Sequence, residues 1–367
     1  MTKNPPMNPQ LYRDDLETVE IDEPETARAL SETMLSIAQK TYRDGGHAIR
    51  SVHAKSHGLL EGEFRVLDGL PPTLAQGLFA KTGTYKAFAR LSTTPGDILH
   101  DSVSTPRGLA LKIVDVEGER LNAEDDSASQ DFLMVNGKQF NASSAKAFLL
   151  NLKGLAATTD RAEGLKEVAS KVLRGVESVI EAFGSKSASI MALGGHPETN
   201  ILGESFFAQL PLRYGDYVAK FALVPQSEEL KALTGQELDL NHNPDGLREA
   251  VSDYFRSKTA VWEFQVQLCS DVEEMSVEDA ASTWDEEKSP FITVATLTVA
   301  PQPSWNRERE REINDGMSFR PWNGLAAHRP LGSIMRMRKL AYAQGAAFRS
   351  QRNPTPVEEP TEKLVSA

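Results

Sequence analysis

Apolar and polar residues alternate strictly in VWEFQVQLC, residues 261–269, where Trp262, Phe264, Val266 and Leu268 are interleaved with Glu263, Gln265 and Gln267. A period of two is the signature of a strand with one face in a core and one in water. Residues 86–93, 107–115, 204–211, 216–224 and 291–299 read as further strands. The RYGD turn at 213–216 predicts that 204–224 is a hairpin. Helical spacing takes over at 24–43, which opens at Pro24 and carries Ala29, Leu30, Met34, Ile37 and Ala38 on one face, and again in the amphipathic segment 162–184. Residues 1–24, rich in proline and aspartate, read as an extended arm. There is no internal repeat and no linker long enough to separate independent domains. The pattern predicts an α+β protein built on an antiparallel sheet or barrel with inserted and C-terminal helices. Its expected layout is an N-terminal arm and helix over 1–44, a single domain over 45–350 and a tail over 351–367.

Composition narrows the partners. With 40% hydrophobic and 25% charged residues, the 367-residue chain is ordinary for a globular protein. A formal charge of −12 and no basic stripe argue against nucleic acid. Cys269 is the single cysteine, so no internal disulfide can form. The opening MTKNPPMNPQ has no apolar signal core, and no run approaches the ~18 apolar residues of a membrane span. A reducing cytoplasm is the expected compartment.

Two stretches carry candidate chemistry. In RMRKLAYAQGAAFR, residues 336–349, helical spacing places Arg338, Tyr342 and Arg349 on one face, with Gly345 and Ala346 leaving its middle smooth. Such a face suits a flat anionic ligand. A phenol of pKa near ~10 is inert, but an arginine one turn away and a bound ferric ion both favour the phenolate, a hard anionic ligand for iron. Taken alone, the same residues also describe a surface tyrosine between solvated arginines. In the second stretch, HAKSH over 53–57, His53 and His57 are four residues apart with Arg50 before them. The glutamate of a zinc-binding HExxH helix is missing, and Gly45, Gly46 and Gly58 bracket the segment.

Together these residues carry a resemblance. RSVHAK at 50–55 resembles the segment around the distal histidine of haem catalases, and RKLAY at 338–342 with Arg349 resembles the segment around their proximal tyrosine. Between them lie ARLST at 89–93, TPRGLALK at 105–112 and DFLMVN at 131–136, each similar to a catalase motif and in the same order. GHPETNILGESFF at 195–207, PLRYGDYVAK at 211–220 and FRPWNGLAAHRPLG at 319–332 resemble the small catalase-like subgroup reduced to the haem-binding barrel.

The resemblance implies haem b, with its iron on Tyr342 and Arg338 holding that tyrosine anionic. It implies His53 as the acid–base group, Ser92 on the other nitrogen of His53, and Asn136 orienting the peroxide. Arg50, Arg90 and Arg349 would pair with haem propionates, and Phe148 would stack on the porphyrin. The implied activity is that of a peroxidase or catalase, with a hydroperoxide as substrate and a small-molecule electron donor, in a chain that could be a homo-oligomer. Two alternatives share the scaffold: a fatty acid hydroperoxide isomerase or lyase of the allene oxide synthase type, and a non-enzymatic haem or lipid carrier. Valine precedes the distal histidine in catalases and threonine in the allene oxide synthases. Val52 therefore favours peroxide cleavage, and the joint presence of His53, Arg338 and Tyr342 disfavours a carrier.

Overall fold

Strands with one apolar face can hide it by closing into a barrel, and a computed structural model, which describes residues 4–122, 127–158 and 196–360, shows one. Its strands are β1 (Lys55–Val66), β2 (Gly83–Thr93), β3 (Arg107–Ile113), β4 (Gln130–Val135), β5 (Phe206–Phe207), β6 (Leu212–Tyr214), β7 (Tyr217–Pro225), β8 (Ala260–Leu268) and β9 (Ile292–Val299). They pair antiparallel in the order β5-β4-β3-β2-β1-β9-β8-β7, and β5 pairs with β7 to close a ring of eight, with β6 attached outside it. The interior is aromatic. Phe132 packs against Phe264 at 4.9 Å and Phe221 at 5.0 Å, and Phe264 meets Phe64 at 5.3 Å. Among the described residues, four main helices accompany the barrel: α1 (Glu23–Gly45), α2 (Ala145–Thr158), α3 (Gly246–Phe255) and α4 (Ser333–Arg352).

The expected helix at 24–43 is α1, and it buries Leu30, Met34, Ile37 and Ala38 as the spacing requires. It ends because Gly46 takes a left-handed conformation, φ 68°, and its N–H caps the Tyr42 carbonyl. The alternation at 261–269 holds in β8 with one exception: Gln267 is buried, its amide donating to the carbonyls of Trp284 and Ser289.

The hairpin expected over 204–224 forms, with its first arm in two pieces, β5 and β6, both paired with β7. The turn lies where RYGD places it; next to it β6 pairs Leu212 with Ala219 and Tyr214 with Tyr217, and farther out β5 pairs Phe207 with Ala222 and Phe206 with Leu223. Phe207 also pairs with Val135 of β4, and this second partner is what closes the barrel. Pro211 has no N–H to continue a ladder, so the strand breaks between the two pieces. The amphipathic segment 162–184 lies outside the described residues.

Two ion clusters pin the chain ends to this frame. On the arm, Glu17 pairs with Arg336 at 2.6 Å and Arg329 at 3.0 Å; Arg336 also reaches Glu23 at 2.7 Å and Glu278 at 2.9 Å. These contacts hold the first turn of α4. Beyond α4, Glu359 folds back to Lys112 of β3 at 2.6 Å, and Lys112 also holds Asp131 of β4 at 2.7 Å. Lys112 and Asp131 are buried, so deleting the ammonium strands a carboxylate in the protein interior. Lys112→Met is expected to lower the unfolding free energy by about 3–5 kcal/mol in urea titrations at pH 7. A loss below about 1 kcal/mol would show that the cluster behaves as a solvated surface pair.

Candidate functional site

Strand alternation gives the wall formed by β2, β3 and β4 two unlike faces. Ala89, Leu91, Leu109, Leu111, Phe132 and Met134 turn into the aromatic core. Arg90, Ser92, Gly108 and Ala110 have the opposite parity, so they face outward. The helix α4 lies across this outer face, and between them is a cavity of about 1440 Å³. Arg338, Tyr342, Gly345, Ala346 and Arg349 all line it, as the helical spacing predicts. His53, Ser92, Asn136, Phe148, Arg50 and Arg90 line it as well, so all nine candidate residues meet at one cavity.

The His53 side is held by main chain. His53 sits at φ 51°, in the left-handed region, and β1 begins two residues later at Lys55. The turn is fixed by the Ala54 N–H donating to Pro95 O at 3.0 Å and by Arg90 donating to Ala54 O at 3.0 Å. Ser92 Oγ lies 3.3 Å from His53 Nδ1, which leaves Nε2 for a ligand. Burial, with Arg90 and Arg338 nearby, lowers the pKa of His53 to about 3, so the imidazole is neutral at pH 7. Asn136 accepts the Arg107 N–H at 2.9 Å through Oδ1, while its Nδ2 is buried with no hydrogen-bond partner. A helical HAKSH pair does not form. His57 is inside β1, fully buried and 2.9 Å from Thr93 Oγ1, and is not among the cavity-lining residues.

Across the cavity Arg338 donates to Tyr342 Oη at 2.7 Å, one helical turn away, with its guanidinium carbon 4.8 Å from the ring centroid. Phe148 comes from α2 and meets Phe140 edge-on at 5.0 Å.

The three remaining arginines converge on one turn. Arg50 donates to Asn314 O at 2.7 Å, Asn314 Oδ1 at 2.9 Å and Met317 O at 3.0 Å. Arg90 donates to Asn314 Oδ1 at 3.0 Å, and Arg349 to Asn314 O, Asp315 O and Met317 O at 3.0–3.1 Å. Asn314 and Asp315 end a π-helical turn, Glu310–Asp315, whose wide loop leaves these carbonyls to outside donors. Burial lowers the proton affinity of all three guanidinium groups, and the presence of Arg349 lowers that of Arg50 and Arg90 further; Arg90 falls to about 9 and Arg349 to about 10. Asp315, the carboxylate that opposes them, is also engaged by His47 at 3.0 Å. Positive charge is therefore in excess on this wall. Asn314 carries no motif in the sequence, because its role comes from an irregular turn rather than a periodic element.

No protein-family description and no curated protein matches this chain. Solved structures do. Catalase A from Saccharomyces cerevisiae superposes with a TM-score of 0.61 at 16% identity, over 87% of this chain and 65% of that one. A fungal catalase gives 0.58 at 14% identity, over 85% and 61%, and a bacterial catalase 0.56 at 16%, over 88% and 62%. The fold is that of the catalases. The chain spans a little under two thirds of the length of these catalases. No helix among the described residues is long and apolar enough to cross a membrane.

Burial also sets an acid limit on this barrel. His57 and His328 are fully buried, and burial lowers the affinity of both for a proton, His328 to a pKa of about 4. Above pH ~6.5 unfolded histidines are neutral too, and folding moves no proton at these sites. Below it the unfolded chain binds protons that the native state refuses, so stability falls from pH ~6.5 towards 4 by about 1.4 kcal/mol per pH unit for each such histidine. Urea unfolding at pH 7, 6 and 5 is expected to show this slope, and His57→Gln should flatten it by about one proton. Equal slopes in the two proteins would contradict a neutral buried His57.

Proposed function

We propose that this chain is a haem-dependent peroxidase or catalase acting on hydrogen peroxide or organic hydroperoxides. One observation carries the reading: an arginine-bonded tyrosine and a neutral histidine face one cavity whose wall also holds the buried Arg90 and Arg349 and the half-buried Arg50.

The residues fit a haem. The Tyr342 hydroxyl accepts from Arg338 and faces the cavity, so its oxygen is held where it can serve as a ligand for ferric iron. The surplus of buried positive charge around Asn314–Met317 calls for an anion, which the two propionates supply through Arg50, Arg90 and Arg349. Asn136 Nδ2 is a buried donor that needs an acceptor. The cavity, at about 1440 Å³, exceeds the ~300–1000 Å³ of an ordinary ligand pocket and leaves space for a substrate beside a large cofactor. Phe148 would rest against the ring system.

When bound, haem supplies the redox-active iron at which a hydroperoxide O–O bond is broken. The chain supplies proton handling and orientation. His53, neutral at pH 7, takes the hydroperoxide proton at Nε2 while Ser92 steadies Nδ1. Its low proton affinity then makes it ready to release that proton to the departing oxygen. Asn136 Nδ2 donates to the peroxide and holds it in line with His53. Arg338 holds the Tyr342 oxygen in position through its hydrogen bond.

His53→Asn tolerates the left-handed backbone and removes the base; it is expected to lose about 10²- to 10⁴-fold of hydroperoxide turnover while still taking up haem. His57→Gln should stay within a few-fold, because His57 does not line the cavity. Oxygen evolution, dye oxidation and loss of diene absorbance from a fatty acid hydroperoxide separate catalase, peroxidase and isomerase or lyase. Equal rates in wild type and His53→Asn would remove the proposed mechanism.

Tyr342→Phe is expected to leave a folded protein with weak haem retention and an altered ferric absorption spectrum. Full occupancy with an unchanged spectrum would exclude Tyr342 as the ligand.

A further inference from the structure

Gly108 lies in β3 directly opposite Ser92 of β2, on the outward face that borders the cavity. Its φ is not in the left-handed region, so its backbone conformation does not require glycine. What the position excludes is a side chain. A Cβ there would stand 2.6 Å from His53 Nδ1, 2.7 Å from His53 Cε1 and 3.2 Å from Ser92 Oγ. The first two separations are closer than real Cβ contacts come, and the atoms met belong to a ring held by the main-chain bonds of Ala54. The imidazole of His53 therefore lies on bare backbone.

We propose that Gly108 is the positioning residue for His53: the missing side chain is the seat of the imidazole and keeps Nδ1 beside Ser92 with Nε2 towards the cavity. The neighbouring Arg107 makes the same short stretch serve Asn136. Its N–H donates to Asn136 Oδ1 at 2.9 Å and its carbonyl accepts the Asn136 N–H at 3.0 Å, which fixes the amide and leaves Nδ2 unpaired. The Arg107 guanidinium donates to Pro197 O at 2.9 Å and Thr199 O at 3.1 Å, anchoring the stretch to another wall of the cavity. Two adjacent residues at the head of β3 thus set both groups assigned to the hydroperoxide. A methyl group at 108 displaces the ring from Ser92 and moves Nε2, leaving the tyrosine side and the arginine cluster intact. The catalytic consequence rests on the function proposed above; the seating of the ring does not.

A double-mutant cycle on the cofactor-free chain tests the seating. Gly108→Ala is expected to lower the melting temperature by roughly 3 °C or more, as an overpacked buried contact does. His53→Gly removes the ring and suits the left-handed backbone. In that background Gly108→Ala should shift the melting temperature by no more than about 1 °C. An equal cost in both backgrounds, or a double variant that does not fold, overturns the proposal. In haem-loaded protein Gly108→Ala should lower kcat by about tenfold or more with KM and haem occupancy within about twofold. A full rate despite thermal coupling would overturn the positioning role. If the wild type turns over no hydroperoxide, the function proposed above fails, while the melting cycle still decides the seating.

Discussion

Three guanidinium groups gathered around the Asn314–Met317 turn, those of Arg90 and Arg349 buried and that of Arg50 half-buried, tie together distant segments of the chain. Arg50 comes from the loop before β1, Arg90 from the barrel wall and Arg349 from the last turn of α4. Guanidinium groups withdrawn from water need acceptors, and here main-chain carbonyls supply many of them. Carbonyls satisfy hydrogen bonds without cancelling charge. The same knot therefore fixes the position of α4 against the barrel and leaves the wall electropositive, which is what makes an anionic ligand its natural complement.

The barrel itself is a closed aromatic core and contributes a surface rather than an interior. Because strand residues alternate, the residues beside Arg90 and Ser92 in the chain are core residues, and neither face can change without the other. This locks His53, Ser92 and Gly108 to the packing of the barrel. On α4 the smooth segment at Gly345 and Ala346 leaves room between the tyrosine end and the Arg349 end of the helix. The acidic residues Glu17, Glu23 and Glu278 hold the start of α4 through Arg336, so Tyr342 is placed by contacts at both ends of its helix.

Much of the site was legible because it is periodic. Arg338, Tyr342 and Arg349 share a helical face by spacing alone, and the alternation in β8 announced a strand buried on one side. The hairpin at 204–224 was legible from its turn, but local pattern does not say which further neighbour a strand takes: Phe207 pairs with Ala222 inside the hairpin and also with Val135, far from it in sequence. Many donors of Arg50, Arg90 and Arg349 are engaged by the turn at 314–317, contacts that no motif in the sequence announces. Asn314 went unnoticed since a π-helical turn has no sequence period to betray it.

What the sequence determined by itself was local. Turn chemistry, helical faces and strand alternation follow from backbone geometry repeated every 3.6 or 2 residues, and they sufficed for the class of fold and for the shared face of Arg338, Tyr342 and Arg349. Ser92, Asn136, Arg90 and Phe148 came only from the resemblance. The resemblance of short ordered motifs supplied the expectation that these residues belong together. Only the tertiary structure decided that His53 rather than His57 faces the cavity. The reason is that residue 53 lies in a left-handed turn outside the strand while residue 57 lies within it. It also decided that His53 is neutral, since its proton affinity depends on burial and on Arg90 and Arg338, which approach from other elements. Charge, solvation and the space at Gly108 are properties of surroundings assembled from distant segments of the chain, and no local pattern encodes them.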